Sequence, residues 1–300
     1  MTVKPPNAAP IAQYQARDRD VVDYELFTVP GVPYKLRGPD PRPLKDGEFL
    51  ALVGASQTFG TLVKRPFAHM IRDTFKVQIL NLGVGGAAPA LFLEPRNAAL
   101  LEHANRSRLT IVQAMSARSS QTRYFETQFG KNMLRRRGST DPFVPGDTAW
   151  KQFFATEPES VRQEVVEEVR ANWVTETIEV LKQLKTPKIF LWFSKASPDR
   201  KLPLNSYATA SGVFPQFVDR RMLSAIEPHV DAMVDATTSR GSPQKLINRF
   251  TGEPAMVNLG DSKTPRDTDG YYPSPEMHED AFERLKTVLP RFLGQQAKRA

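Results

Sequence analysis

Cysteine is absent from the 300 residues. That gap excludes disulfides, thiolate nucleophiles and sulfur-ligated metals together. Histidine is scarce: His69, His103, His229 and His278 are the whole supply, so imidazole chemistry has few carriers. No apolar run approaches the roughly 20 residues a membrane-spanning helix needs. The opening M-T-V-K-P-P-N-A-A-P carries no apolar core of a leader. The expectation is a soluble cytoplasmic protein with no membrane partner. No G-x-x-x-x-G-K-[ST] loop is present, so a Walker-type nucleotide site is not expected. Recognition-helix, RNA-binding and zinc-finger signatures are missing, so nucleic acid is not an expected partner. Asp199, Asp231, Asp235, Asp261 and Asp269 lack metal-ligand spacing, and neither a metal nor a cofactor is expected.

What is present is enough apolar sequence, 40%, to bury the core of one domain with trimmings. The net charge of +8 is spread over 41 basic and 33 acidic residues, and its sharpest feature is Arg135-Arg136-Arg137. Residues 1–46 are proline-rich and read as an arm and connector. Phe49 to Val53 is a short unalternating apolar run, which suits a strand buried on both faces. It ends in the small-residue turn Gly54-Ala55-Ser56.

Periodicity then gives a helix over 66–75 and a strand over 76–82 that runs into Gly83-Val84-Gly85-Gly86. A helix over 89–103 and a strand over 108–115 follow. Residues 119–155, polar, basic and aromatic, break the rhythm and read as an insertion near the site, a lid. Thr156-Glu157-Pro158-Glu159 has capping-box form and opens the clearest helix, up to Pro187. A strand over 188–193, a helix over 216–226, a strand over 232–236 and a last helix over 275–293 complete the chain. Alternating strands and helices predict an α/β fold: three layers, a flavodoxin-like parallel sheet of about five strands with helices on both faces.

Ligands of such sheets bind outside the carboxyl ends of the strands, which is where Ser56 falls. His278 falls in the opening turn of the last helix, after an N-cap Ser274 and Pro275. There the helix dipole disfavours imidazolium and biases the ring towards a neutral base. Taken alone, each has a plain alternative: a turn serine bonding its own backbone, and a histidine facing water. Gly83 to Ala88 formally matches a dinucleotide fingerprint. The next strand ends in Gln113-Ala114-Met115-Ser116 without an acid for a ribose hydroxyl, so nicotinamide and flavin are not expected.

Gly54-Ala55-Ser56, the loop Asn81-Leu82-Gly83-Val84-Gly85-Gly86 and His278 at the last helix together resemble the SGNH (GDSL-like) hydrolase superfamily, over roughly residues 47–295. The same three blocks, V-G-A-S-x-T-F-G, N-L-G-V-G-G and Y-P-S-P-E-M-H, also resemble a bacterial domain-of-unknown-function family. The resemblance implies Ser56 as nucleophile and His278 as base, with Ser56, Gly85 or Gly86, and Ser116 around the oxyanion. Thr58 and Arg118 would touch substrate. The superfamily's asparagine after the third strand is replaced by Met115-Ser116-Ala117-Arg118, and its aspartate three residues before the histidine is Pro275. Asp269, Glu276 or a main-chain carbonyl would then orient the imidazole. The activity implied is hydrolysis or transfer of O-acyl, notably acetyl, esters of a sugar or polysaccharide precursor. The alternatives are a degraded module that holds an anionic glycan through Arg118, and a sulfuryl or phosphoryl transferase.

Overall fold

A computed structural model describes residues 10–259 and 264–294. The first nine residues of the expected arm, Asp261, and residue 295 at the end of the expected domain lie outside them. The strands in chain order are Phe49–Gly54 (β1), Gln78–Gly83 (β2), Leu109–Gln113 (β3), Phe125–Thr127 (β4), Met133–Arg136 (β5), Val144–Pro145 (β6), Lys188–Ser194 (β7), Ala232–Thr237 (β8), Gln244–Lys245 (β9) and Thr268–Asp269 (β10). The helices are Pro10–Asp18 (α1), Ser56–Phe59 (α2), Phe67–Phe75 (α3), Pro89–Leu93 (α4), Ala98–Asn105 (α5), Gly146–Thr156 (α6), Glu159–Gln183 (α7), Tyr207–Ser211 (α8), Arg220–Ile226 (α9), Pro275–Val288 (α10) and Pro290–Leu293 (α11).

The central sheet has the order β2-β1-β3-β7-β8, with every pairing parallel. This is the expected doubly wound, flavodoxin-like arrangement. Successive side chains of a strand point to opposite faces, and β1 shows the consequence. Phe49, Ala51 and Val53 pack into the core that α4, α5, α7 and α9 cover. Leu50 and Leu52 join Phe67, Ile71, Met277 and Leu285 on the α3 and α10 face. Burying one such leucine is worth about 1.5–3 kcal/mol, so a one-residue slip of β1 would exchange two full apolar sets.

Three expectations are corrected. The helix over 89–103 is two helices with a 3₁₀ turn, Pro95–Asn97, between them, because Pro95 has no N–H to continue the ladder. The capping box at Thr156 does not form. Thr156 ends α6, Glu157 is extended, and Pro158 is the N-cap of α7 without a side-chain bond. The 216–226 helix starts only at Arg220, where Asp219 accepts from the Met222 N–H at 3.1 Å.

The 119–155 insertion holds an antiparallel sheet, β4-β5-β6, and then α6. Its aromatic residues join the main core: Phe125, Trp150 and Phe153 are buried and in ring contact, and Trp150 also meets Phe217. The arm also joins the domain's interior. Tyr24 and Leu36 are fully buried, and Phe27 and Leu36 form an antiparallel bridge.

Candidate active-site cleft

Three strand exits of the sheet help build one cleft of about 640 Å³ at its carboxyl edge. β1 delivers Ser56 through a turn that tolerates no side chain at Gly54. A Cβ there would run into Thr58 Oγ1 and lie 2.8 Å from Gln113 Oε1. That carboxamide, at the end of β3, accepts the Ala55 N–H at 3.1 Å and the Thr58 hydroxyl at 3.2 Å. The turn that carries Ser56 is thus braced from the neighbouring strand. Ser56 opens α2 and lines the cleft.

β2 leads to Gly86, which lines the cleft at φ +74°, a conformation glycine adopts without steric cost. The insertion is fastened to this glycine loop. Gly86 O accepts the Asn132 N–H at 2.8 Å, and Gly130 O accepts the Ala88 N–H at 2.9 Å. Asn132 itself lines the cleft. Its Oδ1 accepts from Ser119 Oγ at 3.4 Å, and its Nδ2 has no protein acceptor among the described residues.

β3 leads through Ser116, whose Oγ accepts the Arg118 N–H at 3.1 Å and caps the short 3₁₀ turn Ala117–Ser119. Two tryptophans hold this exit from behind. Trp173 donates to Met115 O and Trp150 to Arg118 O, both at 2.9 Å.

Arg118 is buried, and its Nη1 lies 2.7 Å from Asp147 Oδ2. The contact is an ion pair without the alignment of a hydrogen bond, and Nε and Nη1 find no acceptor among the described residues. Burial opposes its charge, but Tyr271, Tyr207 and Asp147 outweigh that and hold its pKa above the ordinary value. Asp147 also accepts from Tyr207 OH at 2.5 Å. Lys151 and Arg266 line the cleft too, without a carboxylate partner among the described residues.

Asp269 lines the cleft as well. It is buried, and accepts the Tyr271 N–H at 3.1 Å, the Tyr272 N–H at 2.9 Å and Gln244 Nε2 at 3.2 Å. Ser56, Gly86, Ser116, Arg118 and Asp269 therefore meet at one cleft. The other expected residues stand elsewhere. Gly85 packs on the Tyr14 ring, which a Cβ would approach to 2.8 Å. Thr58 is fully buried against Gln113. Glu276 lies by Gly241 and Ser274, beside the main chain rather than the cleft.

His278 is the largest departure. Ser274 caps α10 as expected, accepting the Met277 N–H at 3.1 Å, but His278 faces inward and is fully buried. Its ring stacks on Phe67 at 5.6 Å and meets Phe193 edge-on at 5.0 Å. Nδ1 accepts the Phe67 N–H at 3.3 Å, and Nε2 has no partner among the described residues. Burial, then Arg37 and His69, push the pKa down to about 3. The ring is neutral, with Nδ1 as acceptor and the proton on Nε2. It lines no part of the cleft, and no hydrogen bond joins it to Ser56 among the described residues. The helix dipole was expected to keep it neutral for work as a base; burial keeps it neutral without placing it at the cleft.

Several cleft residues escaped the sequence reading, Asn132, Asp147, Lys151 and Arg266 among them. Asn132 and Asp147 sit in the insertion, whose polar composition gave no periodic signal. Only the chain's return to the glycine loop brings them to Ser56. Among the described residues, no cluster of acidic and histidine side chains could hold a metal, and no helix is long and apolar enough to cross a membrane.

No curated protein matches the chain. Among solved structures, a carbohydrate esterase family 2 enzyme with a carbohydrate-binding domain from Corynascus thermopiles is 11% identical. Its TM-score is 0.40, over 87% of this chain and 71% of that one. An active-site mutant of a family two carbohydrate esterase from Clostridium thermocellum is 8% identical, with a TM-score of 0.37 over 87% and 67% of the two chains. A structure named for the lipolytic G-D-S-L family, from Desulfitobacterium hafniense DCB-2, is 12% identical, with a TM-score of 0.35 over 79% and 99%. Residues 12–133 and 152–293, well over half of the sequence, match the family described as Domain of unknown function (DUF6473), and the chain belongs to that family.

Proposed function

We propose that the protein is a serine ester hydrolase or acyltransferase acting on O-acyl esters of a sugar or polysaccharide precursor, with Ser56 as nucleophile. The observation that carries the reading is the position of Ser56. It stands at the carboxyl edge of β1, lining the cleft, with its own N–H at the start of α2, and Gly86 and Asn132 line the same cleft. Ser56 Oγ attacks the ester carbonyl carbon. The Ser56 and Gly86 N–H groups and the Asn132 amide face the oxygen that gains charge. The alcohol leaves, and water or a second alcohol releases the acyl group from Ser56.

The proton of Ser56 needs an acceptor in the cleft. His278 is outside it, with its lone pair already engaged. Asp269 is the buried carboxylate of the cleft wall, and in this reading it takes the proton, directly or through a water.

The test is labelling by a fluorophosphonate probe together with hydrolysis of p-nitrophenyl acetate and acetylated sugars. Both are expected in the intact protein and lost in Ser56→Ala. If the intact protein neither labels nor cleaves any ester offered, the reading is wrong. One observation favours a second reading, a module that binds an anionic glycan: the spare donors of Arg118 in one cleft with Lys151 and Arg266, which have no carboxylate partner among the described residues. It requires saturable, salt-sensitive binding of a polyuronate that survives Ser56→Ala and is lost in Arg118→Ala.

A further inference from the structure

A second cavity, of about 280 Å³, opens beside the cleft. Gln57, Asp147, Phe214, Gly270 and Tyr271 line both, so the two spaces share one wall. Gln57 is the residue next to Ser56, which puts the side cavity against the nucleophile turn. Its own lining is mixed: Phe193, Val213, Phe214, Pro273 and Met277 give it one apolar side, and Ser194, Lys195 and Gln216 a polar one. The one cation there, Lys195, spends its ammonium on Gly270 O. Nothing assigned to the main cleft requires this space.

We propose that the side cavity is the acyl pocket, and that the ester carries an apolar acyl chain of medium length, about six to ten carbons, rather than acetyl. The inference rests on the ester-hydrolase reading and names the substrate class of that site. The volume argues for it. A water's share of liquid volume is ~30 Å³, so the cavity holds roughly nine such shares, far more than a two-carbon group fills. Apolar walls left without a partner forfeit their dispersion contacts. A chain that fills them gains about fourfold in kcat/KM per methylene. The sugar, with its polar surface, then occupies the main cleft among Arg118, Lys151 and Asp147. Ser56 lines the main cleft, and its neighbour Gln57 belongs to the wall the two spaces share, so an ester bound at Ser56 can extend its acyl group past that wall.

The experiment is a series of p-nitrophenyl esters from acetyl to decanoyl, paired with saturation-transfer NMR of 1-octanol on the Ser56→Ala protein. Val213→Trp, at the exposed rim of the pocket, narrows it without disturbing the core. The expected results are kcat/KM at least tenfold higher for octanoyl than for acetyl, and a collapse of that ratio in Val213→Trp. Octanol should bind Ser56→Ala and be lost on adding Val213→Trp. A rate that falls steadily from acetyl upward, or no octanol binding, overturns the pocket. If no ester is cleaved but octanol binds and Val213→Trp displaces it, the pocket stands as an apolar-chain site and the Ser56 chemistry is what fails.

Discussion

The main-chain N–H of Phe67, at the start of α3, donates to His278 Nδ1 at 3.3 Å across 211 positions of sequence. This one bond decides which ring nitrogen carries the proton. With Nδ1 accepting, a neutral imidazole must place its hydrogen on Nε2, and neither nitrogen is left to receive a proton from Ser56. His278 thereby ties α10 to α3 on the same face of the sheet.

His278→Asn keeps an acceptor for Phe67 but loses the aromatic stack, and is expected to cost about 2–4 kcal/mol of stability. The protein that remains folded should hydrolyse esters within a few-fold of the parent. A general base contributes about 10²–10⁴-fold, so a loss of that size at unchanged folded fraction would return His278 to the mechanism. Urea unfolding and kcat, measured side by side, separate the two.

Acid should unfold the protein through its buried imidazoles. Burial pushes His278 down to about 3 and His69 to about 4, against ~6.5 in an unfolded chain. Between those values the unfolded state binds more protons than the folded one, so stability falls as pH falls. It is fully present above pH ~6.5 and declines through pH 5. Urea midpoints at pH 7.5, 6 and 5 should drop in sequence, and the drop should flatten in a His69→Gln, His278→Asn double variant. A parent whose midpoint does not move over that range contradicts the burial described above.

Glu176 works in the opposite direction. It lies on α7, half-buried, accepting from Ser120 Oγ at 2.7 Å, and desolvation pushes its pKa up to about 7. The folded state then holds the proton more tightly, and the stabilisation is full below pH ~4.5 and lost as pH rises through 7. Glu176→Gln keeps an acceptor for Ser120 and carries no charge. It should raise stability at pH 8 by about 1–3 kcal/mol and change little at pH 4.5. Equal effects at both pH values would mean that Glu176 is not held neutral.

Gly146→Ala should separate fold from site. The residue begins α6, where alanine is favoured by up to about 1 kcal/mol, so Tm should hold or rise. Yet the new Cβ would run into Asn132 Oδ1 and come within 3.4 Å of Arg118 Nε, displacing the amide from the cleft. The expected result is a kcat lower by about 10²–10³-fold, the loss typical of a missing oxyanion donor. Near-parent kcat at intact Tm would remove Asn132 from the proposed machinery.

How far the sequence could be read follows from the range of each signal. The five sheet strands were legible because a strand covered on both faces must be continuously apolar, and Phe49 to Val53 or Lys188 to Phe193 can be little else. Ser56, Gly86, Ser116 and Arg118 came with them, since each directly follows a strand and strand exits converge. Pro95 was visible, yet the periodicity of its neighbours concealed the break it makes. Asn132 was not legible: its place depends on a main-chain bond to Gly86, and no side-chain pattern encodes that. The inward turn of His278 was hidden for a similar reason. The cap at Ser274 fixes where α10 starts, but which side its first turn buries depends on Phe67 and Phe193, far away in sequence.

Arg37 is where the arm grips the surroundings of Ser56. Its guanidinium, 2% exposed, donates to Gly60 O at 3.1 Å, Val63 O at 3.0 Å and Lys64 O at 3.1 Å, all in the loop between α2 and α3. It lies over the Tyr24 ring at 4.9 Å and the Phe59 ring at 5.9 Å. Burial lowers its pKa to about 10, still well above neutrality. One planar fork thus satisfies three carbonyls of the segment that follows Ser56. A lysine has one ammonium and no plane to lay against the rings, so Arg37→Lys leaves at least one carbonyl buried without a donor, at about 1–3 kcal/mol each. Arg37→Lys should lower Tm and also speed hydrogen exchange at Gly60 to Lys64 more than in the sheet. A uniform change across the chain would mean that Arg37 supports the fold at large rather than this loop.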